Sequence, residues 1–275
     1  MIAGLIPPTT VPLSFLIEMR NVLDLTNRVA VVIGASSGIG RTIATGLAQH
    51  GADVIPSGRR EPKLEDVCRE IEALGRRTLL RTADATDRQS LDQLRDAVLN
   101  RFGRVDILVN AAGYTLKKPA VSISEQEWAS ILDTNVTGVL RACQSFYEPL
   151  KSSARGRVVN IASLSSFLAF HEVAAYSASK TALLSLTRSL ACEWARDGIC
   201  VNAIAPGVFP TELNREIILG TPRGSEMLMR TPMRRFGRPE ELIGAAVLLA
   251  SDGASFLTGQ CIAVDGGYLA SGVNS

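Results

Sequence analysis

Histidine is scarce in this sequence, which has two in 275 residues, at His50 and His171. The cysteines are few and irregularly spaced, with no C-x-x-C pair among the five. A zinc site or a disulfide framework would need regular clusters of these residues, so we expect no metal centre and no structural disulfides. Reduced thiols of this kind are typical of a cytoplasmic protein. The cysteines are Cys68, Cys143, Cys192, Cys200 and Cys261.

An excess of charge of either sign is also lacking, since 29 basic residues face 27 acidic ones. This balance gives no reason to expect a nucleic acid or an anionic membrane as partner. The apolar fraction is 46%, and a chain of this length can bury one large core. We therefore expect a single catalytic or binding domain that acts on a small molecule.

The first twenty residues lack the features of a targeting segment. They have no basic start and no small-residue cleavage site, and three prolines interrupt them at Pro7, Pro8 and Pro12. The stretch is also too short for a membrane span. We predict a flexible extension over residues 1–20, with Met19 as a possible alternative start, and a domain over residues 21–275.

From Arg28 onward, apolar runs alternate with amphipathic stretches long enough for helices. Continuous apolar strands separated by helices indicate a parallel sheet covered on both faces. The fold class predicted is α/β: one Rossmann-type, doubly wound domain with seven parallel strands and helices on both faces. The predicted strands are Val29–Ile33, Val54–Ile55, Thr78–Leu80, Val105–Val109, Val158–Ile161, Ile199–Ile204 and Cys261–Val264. The predicted helices are Arg41–His50, Pro62–Leu74, Ser90–Phe102, Glu125–Leu150, Ala174–Arg196 and Pro239–Ser251.

A glycine-rich turn joins the first strand to the first helix, with glycines at Gly34, Gly38 and Gly40. Glycines here let the backbone approach a pyrophosphate, while the helix N-terminus offers free N–H groups and a positive dipole end. A plain turn is the alternative, but the position between strand and helix favours a dinucleotide.

The second strand ends in Ser57-Gly58-Arg59-Arg60, where a binder of NAD would usually carry an acidic residue. Two guanidinium groups could pair with a 2′-phosphate instead. We predict NADP as cofactor, with NAD as the alternative; the two arginines could also be solvated charges that open the next helix.

Tyr176 and Lys180 lie four residues apart in a predicted helix and so share one face. A free tyrosine has a pKa of about 10, and a nearby ammonium favours the phenolate. The pair could act as a general acid/base, with the Ser163 hydroxyl on the same substrate oxygen. Alone, such a pair could arise by chance.

Taken together and in this order, the motifs resemble those of the short-chain dehydrogenase/reductase family, from about Leu25 to Tyr268. They are the glycine turn, Asn110 to Gly113, Asn135, Ser163, Tyr176-x-x-x-Lys180 and Pro206-Gly207. The resemblance implies that Tyr176 exchanges the proton, Ser163 polarises the carbonyl, Lys180 lowers the tyrosine pKa and binds the ribose, and Asn135 anchors a water.

The resemblance also assigns the cofactor residues and suggests that His171 lines the substrate pocket, although His171 could equally lie on a surface loop. It implies a homotetramer as well. The implied cofactor residues are Gly34, Ser36, Ser37, Gly38, Ile39, Gly40, Arg59, Arg60, Asp84, Ala85, Asn110, Ala111, Gly113, Tyr176, Lys180, Pro206, Gly207, Val208 and Thr211.

A basic segment at about 207–237 follows the sixth predicted strand and is a candidate lid. Its arginines suit an anionic substrate, although solvated charges would look the same. The Gly220–Gly224 and Arg230–Met233 stretches resemble the gluconate 5-dehydrogenase branch, which implies reversible reduction of a keto-sugar acid. The alternatives are a 3-oxoacyl-carrier-protein reductase and a dinucleotide-binding protein without catalysis.

Overall fold

The computed structural model describes residues 21–212 and 214–274. The predicted N-terminal extension lies outside the described residues. A parallel sheet of six strands forms the centre, in the order β2-β1-β3-β4-β5-β6. The strands are β1 (Val29–Ile33), β2 (Asp53–Ser57), β3 (Ile107–Asn110), β4 (Arg157–Ile161), β5 (Cys200–Pro206) and β6 (Cys261–Val264).

Helices cover both faces of the sheet, as the alternation in the sequence predicts. They are α1 (Gly38–Gln49), α2 (Glu61–Ala73), α3 (Arg88–Phe102), α4 (Glu125–Leu132), α5 (Gly138–Ser152), α6 (Ala174–Trp194), α7 (Arg215–Ile218), α8 (Pro222–Arg230) and α9 (Ile243–Ala250).

Side chains alternate along β1 between two apolar clusters. Ala30 and Val32 of β1 pack with residues of α1, α2 and α9, whereas Val29, Val31 and Ile33 pack with residues of α3, α5 and α6. This explains why the strands read as unbroken apolar runs. None of the described helices is long and apolar enough to cross a membrane.

The prediction of seven strands is wrong, because the predicted strand Thr78–Leu80 is not formed. The chain there runs beside β2, but the backbone bonds between the two lie at its ends, from Val54 N–H to the Arg77 carbonyl and from Ala83 N–H to the Gly58 carbonyl. In β2, the Asp53 N–H bonds to the Arg28 carbonyl on the β1 side. Since successive N–H groups of a strand point to opposite sides, the positions of β2 that face the outer edge of the sheet are Val54 and Pro56. Because Pro56 has no N–H to donate, the ladder cannot continue past Val54.

The order in which strands are added to the sheet changes side at β1, since β2 lies on one side of β1 and β3 on the other. In open parallel sheets a crevice forms outside the carboxyl ends of the strands at such a point. The Gly-rich turn after β1, the turn after β3 and Ser163 after β4 all lie at this edge.

Candidate active site

Two adjoining cavities occupy the carboxyl edge of the sheet. One of about 520 Å³ lies over the glycine-rich turn, and one of about 230 Å³ lies over the end of β4. Ile39, Gly113, Tyr114 and Thr211 line both of them. The arrangement therefore offers a long site for a dinucleotide that leads into a smaller site for a substrate.

The glycine-rich turn is closely packed, which explains the need for glycine. Gly34 has φ +91°, and a Cβ at this position would lie 2.4 Å from the Ala112 nitrogen. A Cβ on Gly40 would lie 2.2 Å from the Gly34 carbonyl oxygen. Ser37, the N-cap of α1, makes no side-chain capping bond, so the first N–H groups of α1 have no partner from their cap. The turn fits a diphosphate in both shape and charge.

Most of the residues that the resemblance assigns to the cofactor line the two cavities. Arg59, Arg60, Asp84 and Ala85 line the larger one, and Pro206, Gly207 and Val208 line the smaller one. Gly40, Asn110 and Ala111 line neither, and their assignment to the cofactor stays a prediction. These three shape the site from behind; the Asn110 amide, for example, donates to Asn160 Oδ1 at 2.9 Å.

Ser163 and Tyr176 meet in the smaller cavity. Ser163 follows β4, where its Oγ accepts from the Ser165 N–H at 3.2 Å, and Tyr176 lies in the first turn of α6. Burial raises the pKa of Tyr176, and its hydrogen bond with Ser163 lowers it by less. At neutral pH the phenol is thus protonated, the state in which it can give a proton.

Lys180 lies one turn further along α6, with its Nζ 5.7 Å from the centre of the Tyr176 ring. The ammonium donates to the Ile161 carbonyl at 2.7 Å, and burial lowers its pKa to about 8. We expected Lys180 to lower the pKa of Tyr176, but burial dominates the tyrosine and raises its pKa. The Lys180 ammonium is bonded to the Ile161 carbonyl, and burial and the Ser163 hydrogen bond are what shift the tyrosine pKa; the effect of the lysine on the phenol stays a prediction.

Asn135 is placed by a local change of helix type that the sequence does not reveal. The predicted helix Glu125–Leu150 is in fact α4, a π-helical turn at Asp133–Thr137, and α5. The turn buries the Asn135 side chain, which accepts from Tyr114 N–H at 3.0 Å and donates to Ser179 Oγ at 3.0 Å. Such turns often occur at functional sites. The water predicted on Asn135 stays a prediction.

Asn135 and Lys180 converge on Gly113. A Cβ on this glycine would lie 3.1 Å from Asn135 Oδ1 and 3.4 Å from Lys180 Nζ. The turn after β3 can therefore approach both side chains only because residue 113 has none. Asn135, Ser163, Tyr176 and Lys180, the four predicted catalytic residues, are brought to one end of the two cavities.

His171 does not line the cavity, and its contact with the substrate stays a prediction beside the alternative of a surface loop. Its side chain is 86% exposed and lies beside Glu172, at 3.7 Å from Nδ1 to Oε2. The neighbours Phe170 and Val173 line the cavity in its place. The turn that carries His171 directs its backbone carbonyl inward, where it accepts from Arg223 at 3.1 Å.

The sequence reasoning missed several residues of the substrate cavity, chiefly Thr115, Lys117, Phe170 and Asn214. Thr115 and Lys117 follow Gly113 directly, so their position after a strand at the carboxyl edge could have identified them. Phe170 and Asn214 lie in loops whose placement depends on packing between distant segments.

Comparisons with known proteins agree with this geometry. The family model described as enoyl-(acyl carrier protein) reductase matches residues 34–269. The chain is 39% identical to 2-dehydro-3-deoxy-D-gluconate 5-dehydrogenase of Dickeya dadantii, over 91% of this chain and 98% of the relative. It is 37% identical to gluconate 5-dehydrogenase of Gluconobacter oxydans, over the same shares.

A solved structure of similar fold is gluconate 5-dehydrogenase from Burkholderia cenocepacia in complex with NADP and tartrate. The two chains are 34% identical and superpose with a TM-score of 0.87, over 91% of this chain and 98% of that one. The chain therefore belongs to the short-chain dehydrogenase/reductase family, in the branch that includes the gluconate 5-dehydrogenases, and is an NAD(P)-dependent oxidoreductase.

Proposed function

We propose that this protein reversibly reduces a keto group of a sugar acid with NADPH, as in the interconversion of 5-ketogluconate and gluconate. The observation that carries the proposal is the charge of the smaller cavity. Lys117, Lys180 and Arg223 line it, and none of the described lining residues is acidic. A cavity whose charged lining residues are all cations is complementary to a carboxylate.

Two of these cations contact the loop at residues 170–173. Arg223 donates to the His171 carbonyl, and Lys117 Nζ lies 3.3 Å from Glu172 Oε2. With its carboxylate between Lys117 and Arg223, a substrate would present its keto group to Ser163 and Tyr176. The tartrate in the Burkholderia cenocepacia structure, a hydroxy dicarboxylate, supports this choice of substrate class.

The catalytic side chains supply proton transfer and orientation. When bound, the nicotinamide exchanges hydride with the substrate carbon. Tyr176 gives its proton to the carbonyl oxygen as negative charge develops there. Ser163 Oγ already accepts from Ser165 N–H, so its own hydrogen, which bonds to Tyr176 here, can turn to donate to the same oxygen. In oxidation, Tyr176 takes the proton back.

NADP is the proposed cofactor because Arg59 and Arg60 line the larger cavity at the end of β2. A 2′-phosphate would meet two guanidinium groups there. The Burkholderia cenocepacia relative is described in complex with NADP.

We also propose that the segment at about 207–237, which contains α7 and α8, acts as a lid. The proposed assembly is a homotetramer, and its proposed location is the cytoplasm. Support for assembly comes from the outer edge of β6, whose residues are only partly buried, and from the fully exposed Phe256 that precedes it.

Steady-state kinetics on three carbonyl compounds test the proposed reaction. 5-Ketogluconate should be reduced, and Arg223→Met should raise its KM about ten-fold, because a charge-assisted contact to the carboxylate is lost. KM for a neutral ketose such as fructose should stay the same. Arg215→Met is the matched control, since Arg215 is an exposed arginine of α7 that does not line the cavity.

The outcomes separate the alternatives. Turnover of an acetoacetyl thioester but not of 5-ketogluconate would favour the carrier-protein reductase. Full activity of Tyr176→Phe would contradict the proposed role of Tyr176 in catalysis. Equal KM values for 5-ketogluconate in Arg223→Met and Arg215→Met would show that the substrate carboxylate does not bind at Arg223.

A further inference from the structure

An ion pair crosses the mouth of the larger cavity. Glu212, which follows Thr211 after β5, accepts from Lys63 Nζ at 2.7 Å, and its Oε2 lies 3.7 Å from a guanidinium nitrogen of Arg60. Arg60 and Lys63 belong to the start of α2, on the opposite wall. The contact therefore joins two segments that are more than 140 residues apart in sequence.

The two arginines after β2 are in different states. Arg60 donates to Ser36 Oγ at 2.8 Å and to Ser37 Oγ at 2.6 Å, so it lies against the glycine-rich turn with Glu212 on its outer side. Arg59 lines the same cavity and has no hydrogen bond or ion pair with any described residue. Arg59 is thus available to a ligand, whereas Arg60 is already bound to an anion of the protein.

Glu212 lies where several cations converge. The hydrogen bond from Lys63 holds the pKa of the Glu212 carboxyl below its usual value, and Arg60 and Arg41 lower it further. At neutral pH the side chain is therefore ionised. Its carboxylate occupies the outer side of the guanidinium that a 2′-phosphate would also seek.

We propose that Glu212 is an internal anion that Arg60 and Lys63 exchange for the 2′-phosphate, so that Glu212 sets the preference between NADP and NAD. The inference rests on the proposed use of NADP. A phosphomonoester carries nearly two negative charges at neutral pH, and a carboxylate beside it both competes for the same cations and repels it. NAD, with a neutral 2′-hydroxyl, leaves the Glu212 contacts in place.

The rival arrangement is a clasp in which Glu212 stays on Lys63 and Arg60 and closes over the bound cofactor. In that case the contact would stabilise the complexes with both cofactors. Competition and clasp therefore predict opposite effects when Glu212 loses its charge.

Calorimetric titration of the full chain with NADP, NAD, 2′,5′-ADP and ADP distinguishes them. In Glu212→Gln, Kd for NADP and for 2′,5′-ADP should fall about three-fold, the size expected for an exposed ion pair. Kd for NAD and ADP should not change. Glu216→Gln is the matched control, because Glu216 is an exposed acid of α7 with no ion pair among the described residues.

Unchanged binding of 2′,5′-ADP in Glu212→Gln would overturn the proposal, as would equal weakening of NADP and NAD. An equal effect of Glu216→Gln would also overturn it, because the change in Kd would then follow from the net charge and not from the contacts of Glu212. Failure of the proposed NADP preference looks different, since the wild-type protein would then bind NADP no more tightly than NAD. The short probes 2′,5′-ADP and ADP isolate the phosphate from every contact at the nicotinamide.

Discussion

The two ends of the sheet both bury charged side chains, but they do so differently. At the amino end, Arg28 pairs with Asp252 at 2.5 Å, and fully buried Asp106 contacts Arg104 at 2.6 Å and Arg155 at 3.3 Å. At the carboxyl end, Lys180 is 5% exposed and has no ion pair with any described residue; it donates to a neutral carbonyl. One end satisfies its charges within the protein, and the other leaves a charge for a ligand.

The pKa values follow this difference. Burial raises the pKa of Asp252, but the hydrogen bond from Arg28 and the charges of Arg28, Arg157 and Arg155 together lower it by more, so the net direction is down and the carboxylate is favoured. Burial lowers the pKa of Lys180 with nothing opposing it. A buried charge without a partner lowers stability, so its presence in a cleft indicates a functional requirement.

The largest expected effect is on stability at the amino end. Asp106→Asn removes the negative charge that faces Arg104 and Arg155, and should lower the free energy of unfolding by about 3 kcal/mol. Because the site lies at the other end of the strands, kcat should not change. Urea denaturation and a kinetic assay measure the two.

Asp66→Asn is the control, since it breaks the exposed pair with Arg69 and should change stability by less than about 0.5 kcal/mol. Equal losses of unfolding free energy in the two variants would mean that the buried ion pairs of Asp106 stabilise the protein no more than an exposed pair. A fall in kcat for Asp106→Asn would mean that the two ends are coupled.

A smaller effect concerns the pH dependence at the carboxyl end. Burial lowers the pKa of Lys180 to about 8 and raises that of Tyr176, so we expect the first proton to leave this neighbouring pair from the lysine, near pH 8. Once deprotonated, the pair can accept the proton of an alcohol, so kcat/KM for oxidation should rise with pH through about 8. In Lys180→Arg the guanidinium does not titrate, and the rise should move to higher pH.

A pH–rate profile of both forms between pH 6 and 10 measures this. Reduction, which needs the protonated pair, should change in the opposite sense. An unshifted profile in Lys180→Arg would assign the titration to a group outside the pair and would remove the functional reason given for the unpaired charge.

The family motifs could be predicted from sequence because each is local. The glycine turn, the Ser163 position and the Tyr176–Lys180 spacing depend on a strand end or one helical turn. The edge of the sheet was predicted wrongly because a single proline, Pro56, decides whether an outer strand can pair. The π-helical turn at Asn135 interrupts a stretch that reads as one helix on both sides.

The substrate cavity was the least predictable part, because its walls come from separate segments. Arg223 of α8 meets the turn at His171 only through long-range packing, so the sequence located a basic segment but not the one arginine that lines the cavity. The resemblance likewise left His171 open between the substrate pocket and a surface loop, and the structure has Phe170 and Val173 in the cavity wall there.

The smallest expected effect is a difference in stability between variants of two neighbouring serines at the carboxyl end. Ser166 Oγ donates to the Lys180 carbonyl at 2.8 Å, whereas the equally buried Ser165 Oγ has no partner among the described residues and its residue lines the substrate cavity. Ser166→Ala should lower the free energy of unfolding by about 1 kcal/mol, and Ser165→Ala by less than about 0.5 kcal/mol. Thermal or urea unfolding of the two variants measures the difference. Equal losses of stability would show that the Ser165 hydroxyl has a hydrogen-bond partner within the protein. The difference between the two ends of the sheet would then hold for charged groups but not for neutral ones.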